Sequence, residues 1–400
     1  MGTMVERHSH IVIGAGAIGS AAAYWLTERG VKDVLVLEQF DLVNTLNSSG
    51  DHSRIIRRVY HSADYTRLTD AMFESWKQVE EHSCLPVYLR TGGLDLTDPA
   101  VTPGAGFGTY KQALDEAGVE YSELTASEVR DAYPQWQVSD STVGLWQRDG
   151  GIIDIRRSVS AHTSLAMACG VHFRPRTKVG KIQLHDDHVT VETSTGVFEA
   201  EKLMVATGSW LQEHMHDLGL SYELTLSQEQ VSYFSSPHLP DFAPERHPIW
   251  IYHGQDVYYG FPVYGEAATK IARDMRGHFI ASEDRKFDGD DTEGSLLQGF
   301  LSEHLPRAAG PALLHKTCVY DMPKDRNFVL DTLPEHPHVA IFNGAGHAGK
   351  FASLVGQILS DLLTAGETPH PIEPFSLTRP AITDPGFPSS FRIRAEESGT

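Results

Sequence analysis

Short apolar runs bounded by small or polar residues alternate along this chain with longer stretches of helical periodicity. His10-Ile11-Val12-Ile13 is the first run, continuous and β-branched, as expected of a parallel strand buried on both faces. Residues 20–29 are rich in helix formers, and Gly30 stands where a helix C-cap belongs. Val34-Leu35-Val36-Leu37 predicts a second strand, with Glu38 at its end. Together these form a βαβ unit. Tyr65, Leu68, Met72, Trp76 and Val79 recur at helical spacing, predicting an amphipathic helix over 64–82 that Pro86 ends. Thr91-Gly92-Gly93 and the Pro/Gly-rich stretch 99–108 mark a change of region. Thr125-Ala-Ser-Glu128 reads as a capping box opening a short helix. After a turn at Arg148-Asp-Gly-Gly151, Val159, His162, Ala166 and Cys169 line one face of a helix closed by Gly170.

Strands are expected at 171–173, 179–184 and 188–193, the last two joined at Asp186-Asp187, and again at Phe198 and 203–206. Ala206-Thr-Gly-Ser209 is a strand end with a small-residue turn, so the first sheet resumes there after an insertion. Residues 221–317 differ: they alternate as strands and carry Tyr222, Tyr233, Phe234, Trp250, Tyr252, Tyr258, Tyr259 and Phe261. They predict a second, mostly antiparallel layer holding a substrate pocket. A helix over 349–363 places Phe351, Leu354, Val355, Ile358, Leu359 and Leu362 on its apolar side. The fold class is α/β combined with α+β.

The turn Gly14-Ala-Gly-Ala-Ile-Gly19 joins the first strand to its helix. Gly14 suits the tight turn, Gly16 the approach of a pyrophosphate, and Gly19 close packing of helix on strand. The helix N-terminus offers unsatisfied N–H groups to phosphates. Glu38 lies at the spacing of a carboxylate that binds ribose hydroxyls. Many such glycine patterns are surface turns, but here strand, helix, second strand and acid all fall in place. The motif leaves FAD and NAD open, and the acid at 38 argues against NADP.

The chain has 400 residues, enough for two or three domains, and 33 Lys plus Arg against 53 Asp plus Glu, a net charge of −20. That acidity makes it a poor partner for nucleic acid or anionic membranes. No apolar stretch is long enough for a bilayer, no hydrophobic signal segment opens the chain, Glu6 breaks the myristoylation pattern, and Ser-Gly-Thr is not a peroxisomal ending. Cys84, Cys169 and Cys318 form no CxxC, which fits a reducing cytoplasm. His8 and His10, His214 and His216, and His336 and His338 lack carboxylates at metal-site spacing, so no metal is expected.

Four further motifs carry a resemblance: Gly50-Asp-His-Ser-Arg-Ile-Ile-Arg57, Tyr258-Tyr-Gly-Phe-Pro262, Lys316-Thr-Cys-Val-Tyr320 and Gly344-Ala-Gly-His-Ala-Gly-Lys-Phe351. Pro334-Glu-His-Pro337 and Arg379-Pro-Ala381 add to them. Over about 10–380 the chain resembles the monomeric sarcosine oxidase family, with N-methyltryptophan oxidase and pipecolate oxidase as relatives. The resemblance implies a Rossmann-like FAD-binding domain at 8–85, 150–220 and 318–382. It implies a substrate domain at 86–149 and 221–317, with a polar tail over 383–400. It implies a monomeric FAD-dependent oxidase of a secondary or N-substituted amino acid, forming an imine and hydrogen peroxide from O2.

By the same resemblance Cys318 carries the flavin covalently; a free cysteine is otherwise usually a small buried hydrophobe. Lys270 would activate O2 rather than end a strand at the surface. Arg54 would lie over the flavin, and Arg57 with Lys350 would clamp the substrate carboxylate, in place of a solvated arginine run. Tyr259 and Tyr320 would wall the pocket rather than serve as plain core. The FAD-binding set is Gly14, Gly16, Ala17, Ile18, Gly19, Glu38, Arg54, Val179, Gly208, Cys318, Gly344, Gly346, His347, Gly349 and Lys350. Two departures stand out. Asn47-Ser48-Ser49 replaces a histidine-bearing segment. Asp274 stands where the family has a pocket histidine, with His278 a substitute only if the strand is longer. A carboxylate there favours a cationic or hydroxylated substrate group and puts sarcosine in doubt. The rival readings are a flavin-dependent amine dehydrogenase passing electrons to a carrier, a nicotinamide-dependent dehydrogenase, and a flavin-binding scaffold.

Overall fold

Ile11, Ile13, Leu35 and Leu37 point to one face of a sheet and Val12, Val34 and Val36 to the other, and both sets are buried. Cover on both faces is why the runs are continuously apolar rather than alternating. The structure, a computed structural model, describes residues 5–60, 62–102 and 107–391. The chain's first four residues, part of the Pro/Gly-rich stretch and half of the expected polar tail lie outside them.

Strand Glu6–Ile13 runs parallel to Val34–Leu37 on one side and to Val197–Val205 on the other. His172–Arg174 and His336–Asn343 extend the parallel pairing outward. Val179–Leu184, Val189–Thr193 and Val329–Leu333 complete an eight-stranded sheet by antiparallel pairing. Helices Ala17–Glu28, Thr69–Ser83, Ile155–Ala168 and Ala352–Ala365 share a core with one face of it. Gly356 permits the tightest of these contacts, since a Cβ there would stand 2.7 Å from the Ala21 and Ala22 backbone.

The second sheet has nine strands. Gly93–Thr97, Ser122–Thr125 and Val143–Gln147 join the strands between 225 and 322 in it, all antiparallel except where Gly93–Thr97 runs parallel to Ile249–His253. Ala312–Met322 crosses the expected domain border at 317/318 and pairs along its length with Thr225–Phe234, wholly within this sheet. Ser53–Ile56 and Tyr88–Arg90 flank Gly151–Asp154 in a small third sheet. No helix of the described residues is long and apolar enough to cross a membrane.

The helix expected over 64–82 is two helices, Ala63–Thr66 and Thr69–Ser83. Leu68 N bonds to Tyr65 O, three residues back, at 3.0 Å. This tightened turn lets both Tyr65 and Leu68 reach the core. The second helix ends at Cys84, which is left-handed with φ 53, before Pro86 has any effect. Cys169 caps the Ile155–Ala168 helix from an exposed position rather than lining its buried face. The last long helix starts at Ala352, after a 3-10 turn over Ala348–Phe351. The Thr125 capping box forms as expected.

Two glycine substitutions separate packing from propensity. Gly356→Ala should lower stability by about 1–3 kcal/mol, because its methyl meets helix backbone. Gly299→Ala, exposed on the helix Asp291–His304 with nothing within 4 Å, should raise it by about 0.5–1 kcal/mol. Denaturant midpoints of the two variants moving in the same direction would contradict this packing.

Candidate active site

The first glycine turn is built by contact rather than by sequence alone. A Cβ on Gly19 would stand 1.8 Å from Gly14 O, and one on Gly14 2.5 Å from Ala206 O, so neither position accepts a side chain. Gly16 is different: the nearest atom to its missing Cβ is Ser49 Oγ at 3.5 Å, on the cavity side. Ala15 N donates to Glu38 Oε2 at 2.8 Å and Phe40 N to Glu38 Oε1 at 2.9 Å. Ala17 N, at the helix N-terminus, donates to Ser49 Oγ at 3.1 Å. This turn opens into a cavity of about 940 Å³ that reaches Lys350 and Asp274. Backbone open to close approach, an acid beyond it and a cavity at the upper end of small-molecule sites fit a dinucleotide. Every expected site residue except Gly19 lines that cavity; Gly19 lies beneath the turn.

A buried carboxylate, Asp51, lines the cavity just before Ser53–Ile56. It forms an ion pair with Lys270 Nζ and accepts from Tyr233 Oη at 2.7 Å and from Lys316 Nζ at 3.0 Å. Arg54 Nη1 lies 3.7 Å away. Lys270 also donates to Ser53 O at 3.0 Å and Ser53 Oγ at 3.1 Å. Burial opposes the charge on Asp51, but Lys270, Arg54 and Lys316 hold its carboxyl well below the usual range. Burial pulls the Lys270 ammonium down to about 8, against the attraction of Asp51. Lys270 is the residue of Thr269–Arg273 that faces this carboxylate, and Phe261 offers its ring face 4.6 Å away.

Cys318 lies on the strand Ala312–Met322, directly opposite Glu229 of Thr225–Phe234. Burial pushes its thiol up to about 11, with Glu229 raising it and Arg54, Lys270 and Arg285 opposing. Two residues on, Tyr320 packs its ring flat against Gly346, where a Cβ would stand 2.3 Å from the ring. Gly346 is left-handed at φ 79, so only glycine suits both the space and the backbone.

The far wall holds Arg57, Arg326 and Lys350. Arg57 Nη1 donates to Asp95 Oδ1 at 2.5 Å, and His253 Nε2 lies 2.7 Å from the same oxygen. Asp274 accepts from both arms of Arg326, at 3.0 and 2.8 Å. Although burial pushes it up, Asp274 stays below the usual carboxylate range because of Arg326, Lys350 and Arg57. Lys350 makes no ion pair among the described residues; its Nζ stands 5.2 Å over the Tyr60 ring, whose other cation is Arg57 at 5.8 Å. Burial, then Arg57 and Arg326, bring Lys350 down to about 7, against Asp274.

Two expectations change. Asp274 is not a free carboxylate awaiting a cationic substrate group, because Arg326 already balances its charge. Arg57 is not an open half of a clamp, because Asp95 holds it. His278 lies on a separate exposed strand, His278–Ile280, and cannot stand in for the missing histidine. The sequence reading assigned no role to Asp51, Lys316, Tyr233, Asp95, His253 or Arg326. Asp51 and Lys316 fell inside motifs already noted. Among the described residues no group of three or more His, Cys, Asp or Glu could hold a metal ion.

The FAD dependent oxidoreductase family model matches residues 9–362. A monomeric sarcosine oxidase of Bacillus sp. (strain B-0618) is 31% identical over 390 residues, covering 94% of this chain and 96% of the relative. An N-methyl-L-tryptophan oxidase of Citrobacter koseri is 30% identical, covering 93% and 99%. Among solved structures, the open form of NikD, described as an unusual amino acid oxidase essential for nikkomycin biosynthesis, superposes with TM-score 0.83 at 26% identity over 93% of this chain and 98% of that one.

Asp51 gives the site its sharpest stability test. Asp51→Asn strands a buried lysine and should cost about 3–5 kcal/mol. Its folded pKa is depressed, so its contribution is present above the unfolded carboxylate value of about 3.9 and is lost as pH falls below that. Wild type should therefore lose part of its margin over Asp51→Asn on acidification. Equal denaturant midpoints at neutral pH would show that the network carries no such energy.

Proposed function

The chain belongs to the FAD-dependent oxidoreductase family, and from that premise we infer that it oxidises a secondary or N-substituted amino acid. The C–N bond becomes an imine and O2 becomes hydrogen peroxide. One observation carries this reading: a glycine cradle for a dinucleotide shares a cavity with Lys350, a buried cation that makes no ion pair among the described residues. Bound FAD supplies the two-electron acceptor.

The chain's own residues supply the rest. Lys350 takes the substrate carboxylate, with Arg57 across the Tyr60 ring. Tyr259 and Tyr320 enclose the amine and exclude water. Asp274, kept ionised by Arg326, accepts hydrogen bonds from a substrate hydroxyl or amine. That supports a substrate larger than sarcosine with a polar substituent. Lys270, fixed on Asp51, places a cation where negative charge builds on O2. Cys318 anchors the flavin, and Arg54 and Lys270 favour its thiolate.

A peroxide-coupled screen of N-methyl, cyclic and sugar-linked amino acids tests the activity. One class should give peroxide, and its decarboxylated amine should give little. An amine without a carboxylate that is oxidised equally well would refute the reading.

Cys318→Ala should release its flavin on acid precipitation, while wild type keeps it in the protein pellet. Free FAD in the wild-type supernatant would remove the anchor. Lys270→Met should slow reoxidation of the reduced enzyme by O2 at least tenfold, with anaerobic flavin reduction much less affected. An unchanged oxidative half-reaction would leave Lys270 without that role and favour a carrier-linked dehydrogenase.

A further inference from the structure

The wall that meets the substrate carries more acid than a carboxylate clamp needs. Asp95 lies on Gly93–Thr97, a strand held on both sides, by Ile249–His253 and by Val143–Gln147. Its side chain is 2% exposed and aims at Arg57, which follows the strand Ser53–Ile56. Arg57 Nη1 at 2.5 Å and His253 Nε2 at 2.7 Å meet the same oxygen, Oδ1. Burial pushes the Asp95 carboxyl up, yet Arg57 and His253 hold it below the usual range, so it stays ionised. Asp95 is therefore a fixed counter-ion, not a surface acid that can swing away.

The second acid, Asp274, is likewise committed, through both oxygens, to Arg326. On this wall three cations, Arg57, Arg326 and Lys350, face two ionised carboxylates. Lys350 alone of these three makes no ion pair among the described residues. Two uncompensated cations would welcome a second anionic group, because a buried charge left without a counter-ion is costly. One uncompensated cation is satisfied by a single carboxylate, and a second substrate carboxylate would enter beside Asp274 with Arg57 and Arg326 already balanced and nothing left to balance it.

We propose that Asp95 is a specificity-determining residue: by neutralising Arg57 it leaves Lys350 as the one unpaired cation on this wall among the described residues, and so restricts the site to substrates with a single carboxylate. This rests on the oxidase reading and names the substrate class it takes. Arg57 keeps its remaining N–H groups for neutral acceptors, such as a hydroxyl or carbonyl on the substrate. Lys350 supplies the charge.

The test uses the flavin-bound protein and two thioethers in which sulfur replaces the amine nitrogen: methylthioacetate, with one carboxylate, and thiodiacetate, with two. Calorimetric titration measures both affinities without turnover. Wild type should bind the monocarboxylate at least as tightly as the dicarboxylate. Asp95→Asn should shift that ratio at least tenfold toward thiodiacetate, and Asp95→Glu should keep the wild-type preference. A ratio unmoved in Asp95→Asn, or a wild type that prefers thiodiacetate, overturns the proposal. A second variant covers misfolding of the first. Arg57→Met/Asp95→Leu removes the pair as a unit and should lose much less methylthioacetate affinity than Lys350→Met, which should lose at least thirtyfold. Equal losses in these two variants would overturn the proposal as well. Wild type that binds neither thioether overturns the proposal. A failed peroxide screen with these ratios intact would refute only the oxidase assignment.

Discussion

A buried carboxylate with more cations around it than it can balance organises this cavity. Asp51 gathers Lys270, Lys316 and Arg54 from three separated stretches of chain, and Tyr233 completes its shell. Without Asp51, Lys270 has no reason to remain charged in a site where burial already brings it down to about 8. With it, the strand Thr269–Arg273 of the second sheet is tied to the segment that enters Ser53–Ile56 in the small sheet. The interaction thus joins layers as well as charges. It exists only when both layers are in place, which makes the site a consequence of the whole fold.

The chain carries a net charge of −20, yet its cavity collects lysines and arginines. The two facts are compatible because the surface acids are solvated and screened, while the cavity charges act in a low-dielectric interior. Each buried cation has to be matched or its pKa falls. Arg57 and Arg326 are matched by Asp95 and Asp274. Lys350 has no ion pair among the described residues, and burial brings it to about 7. On the proposed reading, the place where matching stops is where the substrate carboxylate binds.

The βαβ unit, the second antiparallel layer and the cavity lining were legible because they depend on local pattern. Continuous apolar runs, glycines at fixed spacing and four motifs bring their residues to one place. The ion pairs were not legible, because they depend on register across long separations. Arg57 and Asp95 are 38 residues apart, Asp274 and Arg326 are 52 apart, and Lys270 and Asp51 are 219 apart. Asp95 sits between Leu94 and Leu96, the alternation of a strand with one wet face, but it is buried against Arg57 and His253 rather than solvated. Arg326 lies in a polar turn after Pro323 that reads as surface until its left-handed backbone, φ 55, aims it inward. The split helix near 67 was hidden for a similar reason: Tyr65 and Leu68 keep helical spacing on either side of the break.

Cys318 shows what the surplus of positive charge accomplishes. Burial alone would leave its thiol protonated and inert at neutral pH, since it stands near 11 even with cations nearby. Arg54, Lys270 and Arg285 act against that burial, and Glu229 acts with it. Had Asp51 faced Lys270 alone, the pair would be neutral and its pull on the thiol weak. Three cations gather on Asp51, and Glu266, 3.6 Å from Lys316, is the second carboxylate beside them, so three cations face two carboxylates at this point of the cavity. On the proposed reading that surplus favours the Cys318 thiolate when the flavin is anchored, and equally the negative charge that develops as O2 is reduced. The two demands arise at different times, in assembly and in turnover, so one arrangement of buried charge can meet both.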